Sequence, residues 1–70
     1  MGADRPNEDF YVLEDSKYPG NYEQDTQFGS TQYFLYADRY DSLDEAKKVK
    51  ELYPPDSVII RRVHIEVLPI

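Results

Sequence analysis

This 70-residue sequence has no cysteine and no tryptophan, one histidine, one methionine and three glycines. Without cysteine there are no disulfide staples and no thiolate metal sites. A single histidine excludes a His-cluster metal site. No apolar run approaches the roughly 18 residues of a membrane span, and the N-terminus lacks the apolar stretch of a secretory signal. The start is also a poor myristoylation signal, because the sixth position, which should be Ser or Thr, is Pro6. Gly2, Gly20 and Gly29 are too scattered for a G-x-G-x-x-G or P-loop phosphate cradle. Positive charge is scarce too: the net charge of −6 argues against direct binding of nucleic acid. These absences lead to the expectation of a cytoplasmic, non-enzymatic protein with no cofactor, no metal and no membrane or nucleic-acid contact of its own.

What is present suits one small domain, expected to span residues 1–70 with 1–8 as a loose N-terminal arm. A chain of this size buries only about 60% of the surface its unfolded form exposes. Its 40% hydrophobic and 14% aromatic content is enough for a thin core and too much for full disorder. Charge is unevenly placed. Residues 1–45 hold eleven acids against three bases, a net −8, and residues 46–70 hold three acids against five bases, a net +2. Such asymmetry points to a polar interaction surface, set against the simpler reading that excess acid aids solubility.

Three strands and one helix are expected. Phe10-Tyr11-Val12-Leu13 lies within 9–14 and reads as a strand apolar on both faces. Residues 15–30 are turn-rich. Tyr18-Pro19-Gly20-Asn21 fits a type II turn, with Pro fixing φ and Gly supplying the positive φ, and Tyr18 and Tyr22 are placed to pair across a short hairpin. Residues 31–37 alternate as a second strand, with Thr31, Tyr33, Leu35 and Ala37 on one face. Residues 42–53 are the helix. Ser42 and Glu45 form a capping box, Leu43, Ala46, Val49 and Tyr53 make an apolar stripe, and Pro54-Pro55 ends it. Residues 57–68 are the strongest strand signal, Val63, Ile65 and Val67 alternating with Arg62, His64 and Glu66. Upstream the phase is open: if Val63 points inward, so do Ile59 and Arg61, whereas a bulge near Arg61-Arg62 would put Ile60 and Val63 inward without burying a charge. The order predicts an α+β fold, a small antiparallel or mixed sheet of three to four strands with one helix on one face. A right-handed crossover would follow if strands 31–37 and 57–68 were parallel neighbours.

Chemistry-bearing constellations are few. A nucleophile needs a base within reach, and the one histidine, His64, sits between Arg62 and Glu66 on its face, which reads as a surface charge ladder. Asp38, Asp41, Asp44 and Glu45 cluster but lack calcium-loop spacing and its glycine. Tyrosine is the unusual feature: seven residues, more than a thin core can bury with satisfied hydroxyls. Tyrosines set among acids suit a protein-binding surface that meets a basic groove, with carboxylates standing in for phosphates and rings for bases. The candidate contacts are Tyr22, Glu23, Asp25, Tyr36, Asp38, Tyr40, Asp41 and Asp44.

The run Tyr33 to Leu52, with Ala37, Tyr40, Ser42, Leu43, Glu45, Ala46 and Lys47 carrying the pattern, resembles small acidic phage and prophage proteins of the anti-CRISPR and host-defence-inhibitor kind. The resemblance covers under a third of the chain, and no functional residue transfers from it. It implies an inhibitor whose partner is a host nuclease or effector in the host cytoplasm. The second reading is a self-associating assembly module, a homodimer paired through strand 57–68.

Overall fold

The computed structural model describes residues 7–24 and 29–69. Five regular elements follow in order: β1 (Asn7–Asp15), β2 (Tyr22–Gln24), β3 (Gly29–Thr31), α1 (Leu43–Lys50) and β4 (Val58–Glu66). The four strands form one sheet in the order β3-β2-β1-β4, with every pairing antiparallel. This is the α+β arrangement of a small sheet with one helix. Of the expected arm 1–8, residues 1–6 lie outside the described residues, while Asn7 and Glu8 already belong to β1.

β1 is the centre of the molecule because both of its faces are apolar. Phe10 and Val12 point one way and pack with Ala37, joined by Tyr22, Val63 and Ile65. Leu13 is fully buried on the opposite face, where its neighbour strand supplies Val58 and α1, packed on β1 and β4, supplies Ala46. Phe10, Val12 and Leu13 each contribute about 1.5–3 kcal/mol by leaving water. The guanidinium of Arg39 lies 3.9 Å from the centre of the Phe10 ring and ion-pairs with Glu8, closing that face with a cation over an aromatic surface.

The hairpin from β1 to β2 turns where proline and glycine require it. Gly20 has φ of 94°, and the Asn21 N–H donates to the Tyr18 carbonyl at 3.1 Å. Tyr22 does not pair with Tyr18 as the sequence suggested. It sits opposite Glu14 in the ladder, and Tyr18 stays exposed in the turn. Two carboxylates brace this turn. Asp15 accepts from the N–H groups of Lys17 and Tyr18, and Glu14 accepts from the Gly20 N–H at 3.0 Å.

α1 starts as its capping box dictates: the Ser42 hydroxyl accepts from the Glu45 N–H at 3.2 Å, and Asp44 and Glu45 occupy the positive end. The helix closes at Lys50 rather than 53. Leu52 and Tyr53 donate back only three residues, to Val49 and Lys50, tightening the chain ahead of Pro54.

Two further readings are settled against the sequence. Residues 31–37 are not a strand. Thr31 ends β3, its hydroxyl accepts from the Tyr33 N–H at 3.1 Å, and residues 34–36 wind into a single 3-10 turn. A local side-chain bond redirects the backbone, and only Ala37 of the segment is buried. The strand it would have formed is absent, so the crossover does not exist either. Second, β4 carries no bulge. Its register with β1 runs unbroken from Asn7↔Glu66 to Asp15↔Val58. Arg61 stays on the Phe10 face, and its charge is met there by Glu14 at 2.8 Å instead of being steered away.

Candidate functional site

β1 and β2 pair at only one register position, Glu14↔Tyr22. Beyond it the strands diverge, and residues 38–40 fill the wedge. The Asp38 N–H donates to the Glu23 carbonyl at 3.1 Å, and Tyr40 exchanges both backbone bonds with Tyr11 at 2.9 Å. This insertion brings Glu23 and Asp38, fifteen positions apart in the chain, to one place and sets them near Asp15. The Glu23 carboxyl is held above the ordinary carboxylate range, first by burial and then by the negative charges of Asp15 and Asp38.

An aromatic knuckle follows β3, on the Tyr22 and Gln24 side of β2. Tyr33, just before the 3-10 turn, and Tyr36, three positions on, meet edge-to-face with centroids 5.8 Å apart. They are 66% and 68% exposed, and with Gln32, Phe34 and Leu35 they line a shallow apolar groove. The knuckle is tied to β2: the Gln24 side-chain amide donates to the Tyr36 carbonyl at 3.0 Å, and Tyr22 meets Phe34 edge-on at 6.3 Å.

The eight sequence-nominated residues fall into three groups. Glu23 and Asp38 meet at the wedge, with Tyr36 exposed two positions before Asp38. Tyr22 and Tyr40 are half-buried, Tyr22 against the Phe10 cluster and Tyr40 along the β1 backbone. Asp41 and Asp44 are exposed at the start of α1, where Asp44 faces the helix dipole. Asp25 lies outside the described residues. Sequence reasoning missed two contributors. Asp15 joins the acidic wedge through the hairpin, which no spacing announces. Tyr33 was assigned to a strand face, although its place in an unbroken Tyr-Phe-Leu-Tyr run was a usable signal.

Elsewhere the ionisable groups make a cross-strand ladder. His64 sits opposite Asp9, with Nδ1 on the Asp9 carboxylate and Nε2 3.3 Å from Glu66. Those two hydrogen bonds, Asp9 first, raise its pKa above the usual value. Glu14, 8% exposed, is held below the usual carboxylate range by Arg61 and then by the Gly20 N–H. Among the described residues no group of three or more His, Asp or Glu side chains is arranged to hold a metal ion, and no helix is long and apolar enough to cross a membrane. Compared with protein families, curated proteins and solved structures, the chain finds no match.

Proposed function

We propose that this chain is a non-enzymatic protein-binding inhibitor, and that the wedge of Asp15, Glu23 and Asp38 with the Tyr33–Tyr36 knuckle occupies a basic, nucleic-acid-binding groove of a host nuclease or effector. The observation that carries the reading is the crowding at the wedge. Burial first, and then repulsion from Asp15 and Asp38, holds the Glu23 pKa up in the free protein. A partner rich in Lys and Arg relieves that repulsion, so binding gains energy that the isolated molecule lacks. The exposed Tyr33 and Tyr36 rings supply the rigid apolar contact that interface hot spots use. Carboxylates then take the place of phosphates, and rings the place of bases. The phage anti-defence setting rests on the sequence resemblance alone.

The test is a pull-down of the tagged protein from nuclease-treated bacterial lysate at low and high salt, read by mass spectrometry. The captured protein is then assayed for loss of its nucleic-acid binding. Capture of a nucleic-acid-handling protein at low salt, its release at high salt and its loss with Glu23→Lys and Asp38→Lys combined are the expected results, because screened charge steers such contacts. Inhibition that survives the double reversal refutes the acidic-mimic mechanism.

A further inference from the structure

β4 is an edge strand of nine residues, with β1 on one side only. The direction of its backbone groups follows from bonds made elsewhere. Tyr11 gives its N–H and C=O to Tyr40, and Asp15 gives its N–H to Asn21, so the odd-numbered residues of β1 turn toward β2. The even-numbered residues therefore turn toward β4, as Ser16 does by donating to the Ser57 carbonyl at 3.0 Å. Their partners Ile59, Arg61 and Val63 bond inward. Ile60, Arg62, His64 and Glu66 consequently aim their N–H and C=O groups at the open edge, where no other described strand pairs. Such a row is a template for another strand. The apolar residues Val67 and Leu68, 65% and 67% exposed, continue the line beyond it.

The side chains say which strand fits. On one face of the edge, Arg62, His64 and Glu66 run from positive to negative. Reversed, the same pattern runs from negative to positive, so a second antiparallel copy is complementary to the first. A two-fold axis normal to the sheet pairs residues of the same parity, and like charges directly opposite are unfavourable. An axis at Arg62 sets that arginine against itself and Val58 against Glu66. An axis at Val63 sets Arg62 against His64. An axis at His64 sets Arg62 against Glu66, Val63 against Ile65 and Ile60 against the otherwise exposed Leu68, each twice, and brings the two His64 side chains opposite each other. There each His64 ring keeps the carboxylates of its own Asp9 and Glu66 beside it as counter-charges.

We propose that two copies of this chain join edge to edge through β4, antiparallel about an axis at His64, to make one continuous sheet. This does not rest on the acidic-wedge reading. β2 and the wedge lie on the far side of β1, and the dimer leaves them open.

The test is sedimentation equilibrium of the full chain from micromolar to sub-millimolar concentration, with circular dichroism to establish that each variant is folded. The wild type is expected to dimerise with rising concentration. Arg62→Glu alone, or Glu66→Arg alone, turns both symmetry-related pairs into like-charge pairs and weakens association by about tenfold. Mixing the two single variants restores both attractive pairs, so a heterodimer forms more tightly than either homodimer. The double variant Arg62→Glu with Glu66→Arg regains wild-type association and serves even where a single variant fails to fold. A wild type that stays monomeric across the range overturns the proposal. A dimer that ignores the single reversals, or a mixture with no preference for the heterodimer, overturns the His64 register.

Discussion

Glu14 is the place where the fold depends most on one charge, and replacing it with glutamine isolates that dependence. Glu14 is 8% exposed, and on the Phe10 face its carboxylate accepts from Arg61 Nε at 2.8 Å and from the Gly20 N–H at 3.0 Å. Glutamine keeps the shape and an oxygen for Gly20 but loses the charge-assisted bond. A fully buried ion pair broken on one side costs about 3–5 kcal/mol, because the remaining charge is stranded. Here Arg61 is 58% exposed and returns to water, so no cation is trapped. The loss is therefore that of one charge-assisted bond, about 1–2 kcal/mol. For a domain this small, each 1 kcal/mol lowers Tm by about 4–8 °C. The Glu14 pKa is lowered in the folded state, so its contribution is fully present above the unfolded value near 4.5 and disappears as pH falls through the folded-state pKa. Thermal melts of wild type and Glu14→Gln, followed by circular dichroism at equal protein concentration, should differ at pH 7 and converge in acid below pH 4.5. Equal Tm at neutral pH, or a gap that does not close in acid, refutes the assignment.

Two further outcomes follow from local geometry. Gly20→Ala meets nothing within 4 Å, so its whole cost is the positive φ, about 1 kcal/mol, whereas Gly29→Ala has no positive φ and only ordinary contact with the Gln24 carbonyl; the first should melt several degrees below the second. Asp9→Asn removes the principal cause of the raised His64 pKa, so the His64 titration midpoint, read from its ring proton shifts by NMR, should move down toward 6.5. In the wild type the stability that His64 lends is present below about pH 6.5 and is lost as pH rises through the raised folded-state value, a slope that Asp9→Asn should flatten.

How much of this could be read from the sequence depends on whether a signal was local. β1 was legible because four apolar residues in a row satisfy a strand buried on both faces, and the Pro19-Gly20 turn and the Ser42 cap were legible because each is specified within four residues. Residues 31–37 misled because alternation describes a strand only when a sheet edge is there to receive it. After β3 the Thr31 hydroxyl captured the Tyr33 N–H, and the aromatic run curled outward. The Arg61 phase problem was visible, but not its solution. A bulge and a carboxylate on the neighbouring strand both satisfy an inward charge, and only the register, which sets Glu14 diagonal to Arg61, chooses between them. The acidic wedge was half legible. The acids were countable, but their meeting depends on residues 38–40 entering between β1 and β2, a long-range event that no spacing encodes.

The two proposed surfaces place different demands on the same small sheet, and its strand order lets both be met. β4 carries the edge with mixed charge and flanking apolar residues, while the wedge lies on the other side of β1. A charge reversal at Arg62 or Glu66 therefore perturbs edge pairing without altering Asp15, Glu23 or Asp38. A reversal at Glu23 or Asp38 perturbs the wedge without altering β4. If pairing and partner capture were one activity of one surface, these two sets of substitutions would fail together. If they are separate, Arg62→Glu yields a monomer that still binds its basic partner through one wedge. The paired molecule carries two wedges at its outer ends. Against a partner with two basic grooves, it should then hold on more tightly than the monomer by effective concentration alone, with no new contact made.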